Sequence, residues 1–292
     1  AFVADFPPVA PEFHQRTHRV RLRNLGTTDK KSSHKIRHRK IPREHIKSRE
    51  VSCMSGKYMA YVGSYSYTGK AKGITVFDVD VENGMFKERC EIEVDNSSYV
   101  IASSDGKTLY SIADEGVVSF RILPNGSLAR LNSAPIRGMR GCHLCTDEED
   151  KYVFVSGYHD GKTTVLSLNP DGSVGKIVDG VFDRGYGSVA ERNFRPHVTC
   201  TRRMPDNRFV LSVDNGIDQV KIYRFNDKEQ RLVQVDAIRC ELESAPRHFR
   251  YSKDGKFIYL MYELKKAIDV YTYKTGDREP VIEKRNHHNS KH

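Results

Sequence analysis

Four residues of this 292-residue chain combine reactive side chains with suggestive neighbours: His143, His197, Arg247 and Glu263. An imidazole or a carboxylate can take a proton from water near neutral pH. A guanidinium offers a planar fork that fits an oxyanion or a phosphate. His143 stands between two thiols in Cys142-His143-Leu144-Cys145. His197 follows Pro196 and lies close to Arg192 and Arg195. Arg247 follows Pro246 at the head of an otherwise apolar strand, and Glu263 closes the apolar run FIYLMYE. Each also has a plainer reading. His143 reads equally as a structural histidine, and Glu263 as half of a salt bridge. His248 falls on the opposite face from Arg247 if the strand alternates strictly, so it reads as structural.

Other chemistries lack their residues. Cys142-His143-Leu144-Cys145 looks like half of a zinc site, but a second close Cys/His pair at ligand spacing is missing from the sequence. The six cysteines of so long a chain read as buried thiols, not as a disulfide scaffold. The sequence has no Gly-x-Ser-x-Gly elbow for an acyl-enzyme serine. It also has neither a Walker loop nor a dinucleotide fingerprint. We expect no metal and no cofactor.

A repeat positions these residues. A tight turn followed by an apolar strand recurs five times: before YMAYVGSY, TLYSIAD, YVFVSGY, FVLSVDN and FIYLMYE. The turns centre on residues 56, 106, 150, 207 and 255, and are rich in Asp, Asn and Gly. A second alternating strand follows each: ITVFDVD, VVSFRIL, TVLSLNP, VKIYRFN and IDVYTYK. A turn and a more polar outer strand come next, and a further strand precedes most anchors. Four strands per repeat, with no helical period between them, predict an all-β propeller of four-stranded antiparallel blades. His143, His197 and Arg247 sit at the entry strands of three successive units. Equivalent positions of successive blades face one axis, so these side chains are expected to converge. Val181 to Asn193 reads as an insertion loop.

The charge lies at the ends. Residues 1–53 hold 13 Lys/Arg against 5 Asp/Glu, a surplus of +8, while residues 54–283 hold 32 against 33. The first 53 residues have little apolar material, so they are expected to be a basic disordered extension. Met54 reads as a start. Residues 54–283 are expected to be the propeller and 284–292, KRNHHNSKH, a polar tail. The near-neutral body argues against a nucleic-acid partner. No apolar run is long enough to span a membrane, and the N-terminal residues lack a signal peptide's order. These features lead us to expect a soluble, cytoplasmic chain.

The anchor strands carry a further pattern. Tyr61-Val62-Gly63-Ser64-Tyr65, Cys142-His143-Leu144, Arg192-Asn193-Phe194-Arg195-Pro196-His197, Asp214-Asn215-Gly216-Ile217-Asp218, Pro246-Arg247-His248-Phe249 and Tyr262-Glu263-Leu264 occur in that order. Over residues 55 to 283 the chain resembles the YbhE-type lactonases, which are seven-bladed β-propellers. The resemblance implies a hydrolase that opens a sugar lactone, foremost 6-phosphogluconolactone in the pentose phosphate pathway. It carries the catalytic group over to His197, Arg247 and Glu263. His143, Arg192 and Arg195 become expected substrate-binding residues, and a phosphorylated sugar lactone the expected small-molecule partner. Departures from the family pattern stand out. Asn193 replaces a family Gln, and Thr199 replaces a second family His. The family's late Arg has no counterpart, and five blades stand where the family has seven. About 90 residues are then expected to be absent. The alternatives are a propeller that binds without catalysis and an inactive fragment of the lactonase.

Overall fold

The structure is a computed structural model that describes the backbone of residues 3–6 and 286–289, and residues 58–187, 194–276 and 280–285 in full. Five four-stranded antiparallel sheets account for nearly all of it. The first contains β1 (Val3–Phe6), β2 (Tyr58–Gly63), β3 (Gly73–Asp80) and β4 (Met85–Glu93). The second contains β5 (Val100–Ala102), β6 (Thr108–Ile112), β7 (Gly116–Ile122) and β8 (Leu128–Pro135). The third contains β9 (His143–Thr146), β10 (Tyr152–Gly157), β11 (Lys162–Leu168) and β12 (Val174–Phe182). The fourth contains β13 (Val198–Arg203), β14 (Phe209–Asp214), β15 (Gln219–Asn226) and β16 (Arg231–Arg239). The fifth contains β17 (Pro246–Tyr251), β18 (Phe257–Tyr262), β19 (Ala267–Lys274) and β20 (Val281–Asn289). Neighbours in sequence are neighbours in each sheet, as a propeller blade requires.

The anchor turns form because a side-chain carboxylate organises the backbone. Asp105 Oδ1 accepts from the Ser103 hydroxyl at 2.7 Å and from the Lys107 amide at 3.0 Å. Asp254 repeats the arrangement with Ser252 and Lys256. The short Asx-type loop leads straight into the second strand. Third and fourth strands share another device. A register shift falls between the fourth and fifth residues of every third strand: Val76/Phe77, Ser119/Phe120, Val165/Leu166, Ile222/Tyr223 and Val270/Tyr271. A bulge at one place in all five sheets adds twist where each outer strand peels away.

Packing is face to face between consecutive sheets. Tyr61 and Ile74 meet Leu109 and Phe120, Tyr110 and Ile112 meet Leu144 and Val153, and Phe154 meets Val210 and Tyr223. Phe209 and Leu211 meet Ile258 and Leu260. Burying each such side chain is worth roughly 1.5–3 kcal/mol. The strands β6, β10 and β14 are buried at every position, because both faces of their sheets are covered. In β18 burial alternates instead, and Tyr259 and Met261 are exposed.

Two boundary expectations need correction. Val3–Phe6, expected to be disordered with the rest of 1–53, pairs antiparallel with Val62 to Met59 and supplies the first strand of its sheet. The remainder of the basic extension, residues 1–2 and 7–53, lies outside the described residues. The polar tail expected at 284–292 is a strand as far as Asn289, in register with β19. An outer strand faces solvent and needs no apolar alternation, since ladder hydrogen bonds to its neighbour suffice. Lys284 also reaches back to Asp269 at 2.7 Å. Among the described residues, no helix is long and apolar enough to cross a membrane.

Candidate active site

The second strand of every blade ends at a loop, and the side chain one or two residues past that end is Tyr65, Asp114, Tyr158, Asn215 or Glu263. The entry to the following first strand contributes Arg140, Cys142, His197, Thr199 and Arg247 at the same end of the sheets. Tyr65, Arg140, Gly141, Cys142, Tyr158, His159, Thr199, Arg247 and His248 line a cavity of about 220 Å³ there. A larger cleft, of about 710 Å³, opens at the opposite end among the hairpin turns. Of its carboxylates, Asp105 holds a turn, Asp150 accepts the Ser104 amide and Asp171 accepts from Ser173; of the expected catalytic residues, Arg247 is among those that line the smaller cavity.

Arg247 and Glu263 come together directly. The Arg247 Nη1 donates to Glu263 Oε2 at 2.7 Å. The same oxygen accepts from Asn215 Nδ2 at 3.3 Å. The backbone aligns the pair, because the Glu263 amide donates to the Ala245 carbonyl at 2.8 Å. The Arg247 carbonyl in turn accepts the Thr199 hydroxyl at 2.7 Å. Both side chains remain partly open to solvent, at 42% and 31% exposure.

His197 belongs to the same network at one remove. Its carbonyl accepts the Asn215 amide at 2.9 Å. Its ring stacks on Tyr158 at 4.3 Å and 13°. Its Nδ1 donates to the Tyr158 carbonyl at 2.6 Å, which leaves the lone pair on Nε2. Burial, against the pull of the Tyr158 bond, moves its pKa below the usual histidine value, so the ring is neutral at pH 7. Gly161, at φ +61°, lets the Tyr158 loop close on Pro196; a Cβ there would meet the proline Cβ at 2.6 Å. His197 thus stands behind the cavity wall, with Tyr158 in front.

The expected substrate-binding residues fare differently. His143 is fully buried and is not part of the lining. Its ring lies 4.7 Å from Tyr99 and 5.9 Å from His248, and Arg202 Nη2 donates to its Nε2 at 3.1 Å. Burial, and then Arg202, hold it well below the ordinary pKa. Arg195 is exposed, its guanidinium 5.5 Å from the Phe194 ring and apart from the lining residues. Arg192 and Asn193 lie outside the described residues.

His248 departs from its structural reading, because it lines the cavity beside Arg247. The cause is a bulge: Pro246 pairs with Tyr262 and His248 with Met261, so Arg247 is the extra residue. Strict alternation fails at a bulge. Burial, and then Arg247, Arg250 and Arg202, push the His248 pKa down to about 4. Burial also raises the Cys142 thiol to about 12, which leaves it a protonated wall residue and no nucleophile.

His143, Cys200 and His248 bring three possible metal-ligand atoms within 4.8 Å of one another. The His143 acceptor nitrogen is already taken by Arg202, and Arg247 and Arg250 act on His248 from nearby. A cation entering there would meet guanidinium charge, so the surroundings favour an anion instead.

The repeat itself held the signal for the residues that single-motif reading missed. Tyr65, Asp114, Tyr158 and Asn215 occupy the position of Glu263 in the other four units, and Arg140 precedes the entry strand of the third.

Residues 59–284 match the family described as lactonase, 7-bladed beta-propeller. The chain is 31% identical over 223 residues to the 6-phosphogluconolactonase of Bacillus subtilis, an alignment that covers 74% of this chain and 63% of that protein. It therefore spans less than two thirds of that relative's length. A crystal structure from Bacteroides fragilis, described as a candidate 6-phosphogluconolactonase, superposes with a TM-score of 0.75 at 29% identity. The superposition covers 82% of this chain and 69% of that one. A similarly described structure from Bacteroides uniformis gives 0.72 at 26% identity, over 78% and 66%.

Proposed function

The chain belongs to the lactonase family of seven-bladed β-propellers, and from that membership we propose that the protein hydrolyses a sugar lactone, 6-phosphogluconolactone to 6-phosphogluconate. The observation that carries the reading is the Arg247–Glu263 pair at 2.7 Å beside a cavity fed by loops of successive blades. Lactone hydrolysis needs a base for water, a donor for the oxyanion and a grip on the substrate.

In this reading Glu263 takes a proton from water as the water oxygen bonds to the lactone carbonyl carbon. The carbonyl electron pair moves onto oxygen, and the Arg247 guanidinium donates hydrogen bonds to that oxyanion. The tetrahedral intermediate then collapses, the ring C–O bond breaks, and the proton held by Glu263 passes to the departing ring oxygen. Atoms and charge balance without an oxidant, a reductant or a second substrate. Asn215 holds the carboxylate in place, and His197 fixes the Tyr158 wall through its stack and its bond to the Tyr158 carbonyl. The phosphorylated substrate and the pentose phosphate pathway are part of the proposal, supported by the relatives' names.

The test is hydrolysis of 6-phosphogluconolactone by the 292-residue chain, corrected for spontaneous opening. Acceleration that Glu263→Gln abolishes supports the reading. Acceleration undiminished in both Glu263→Gln and Arg247→Ala would move the site elsewhere. No acceleration by the folded chain, or by a longer one that contains it, would remove the substrate.

A further inference from the structure

A second guanidinium borders the cavity, and the proposed reaction does not use it. Arg140 lies just ahead of β9 and lines the same wall as Tyr65, Arg247 and His248. Three loops hold it. Its Nη1 donates to Asp114 Oδ1 at 2.7 Å. Asp114 is itself clamped, with both carboxylate oxygens accepting from Asn96 Nδ2 at 3.0 and 2.9 Å. Asn96 is buried in a left-handed backbone conformation at φ +50°, and its Oδ1 accepts the Ser66 and Tyr67 amides. Tyr65, from that same loop, lies under the guanidinium, 5.1 Å from ring centre to Cζ.

This is an oriented guanidinium, which a surface arginine is not. An arginine has five N–H donors, and a single side-chain hydrogen bond, to Asp114, is recorded for Arg140 among the described residues. Its side chain keeps 28% exposure and is part of the cavity lining. A fixed, partly desolvated fork with spare donors suits a tetrahedral oxyanion such as phosphate. The surroundings agree: Arg247 lines the same cavity, and Arg202 and Arg250 act on its His248. Arg140 and Arg247 come from different blades, the third and the fifth, so they offer two separate anchor points.

We propose that Arg140 determines specificity in this cavity by gripping the phosphate of a phosphorylated sugar lactone whose carbonyl lies at Arg247 and Glu263. The inference rests on the lactonase reading for the carbonyl end, but its phosphate end can be tested separately. A charge-assisted hydrogen bond is worth roughly 1.5–3 kcal/mol. Arg140→Met should therefore lower the ratio of kcat/KM for 6-phosphogluconolactone over that for glucono-δ-lactone by about 10- to 100-fold. The loss should fall mainly on KM. Arg140→Lys should recover only part of it, since a point charge lacks the fork.

Calorimetric titration with 6-phosphogluconate and with gluconate separates the two ideas. If the chain opens neither lactone, yet binds 6-phosphogluconate and loses that binding in Arg140→Met, the lactonase reading fails and the phosphate site stands. Equal losses on both lactones would overturn the Arg140 assignment, as would a folded protein that binds 6-phosphogluconate no better than gluconate. Melting curves of Arg140→Met and Arg140→Lys check that both variants fold.

Discussion

Arg247, on the first strand of the fifth blade, and Glu263, just past the end of its second strand, are sixteen residues apart and meet through a 2.7 Å ion pair beside the cavity that Arg247 lines. The bulge at Arg247 makes the meeting possible, because it turns this side chain out of the strand's alternation. The pair is partly exposed, so its value to stability is small. Its position beside the cavity is what gives it a functional reading.

Arg247→Ala should lower kcat for lactone opening by about 10²–10³, the usual loss for one oxyanion donor. Arg247→Lys should not restore it, because the planar fork is gone. Glu263→Gln should be comparably impaired while its melting temperature stays close to that of the parent. Steady-state assay with thermal melts checks all three. A kcat in Arg247→Ala within a few-fold of the parent would exclude it as the donor.

The turn carboxylates should behave in the opposite way. Asp105 is spent on Ser103 and the Lys107 amide, at the far end of the sheets from the cavity. Asp105→Asn keeps an acceptor for those bonds, so activity should stay within a few-fold of the parent. A thousand-fold loss would show that the chemistry lies in the larger cleft.

Acid stability should depend on buried His143 and half-buried His248. His248 has its pKa pushed down to about 4, by burial first and then by three arginines, and His143 is lowered in the same direction. A base whose folded pKa lies below its unfolded value of about 6.5 contributes fully above that value. The contribution is lost as pH falls from 6.5 towards 4. Urea midpoints of the parent should therefore drop across that window, and His248→Gln should drop less. Parallel curves for the two proteins would show that His248 does not titrate as described.

Much of this was legible from the repeat. Turn chemistry and period-two alternation located the second and third strands of all five blades, since those strands are the buried ones. The first strand of the first sheet was not legible. Val3–Phe6 lies more than fifty residues upstream of its partner β2, ahead of a charged stretch, and only backbone pairing marks it. The outer strand β20 carries no apolar period, and of its described side chains, residues 281–285, all but Ile282 are exposed. At the site, equivalent entry positions of successive blades led to the expectation that His143, His197 and Arg247 converge, whereas of these three only Arg247 is among the cavity's lining residues; its ion-pair partner Glu263 comes from the same blade. His248 was assigned to the wrong face because a bulge leaves no mark in a hydrophobic pattern. His143 carried the right residue type, but depth decides its role, and depth depends on Arg202 and Tyr99 from other blades.

A buried acid, Asp214, stands beside His197. Asp214 Oδ1 accepts three backbone amides, from His197 at 2.8 Å, Gly216 at 2.9 Å and Ile217 at 3.2 Å. Those bonds favour the ionised form. Burial and the neighbouring Asp183 outweigh them and push the Asp214 carboxyl up to about 8. Asp183 accepts from the Tyr223 hydroxyl at 2.9 Å and pairs with Lys221 at 3.4 Å. The sign follows from linkage: an acid whose folded pKa exceeds its unfolded value of about 3.9 favours folding most at low pH. Its contribution declines as pH rises from about 4 to about 8 and is flat beyond. Asp214→Asn keeps the acceptor oxygen and replaces the titrating proton with an amide that cannot ionise. The melting temperature of the parent should fall between pH 5 and pH 8.5, and Asp214→Asn should fall less. The variant should be at least as stable as the parent at pH 8.5 and no more stable at pH 5. Because this acid positions the His197 backbone, the same variant should keep most of its lactone-opening activity if the loop is held by acceptor geometry alone. Identical pH slopes for parent and variant would show that Asp214 is ionised throughout, and that the three amides outweigh burial.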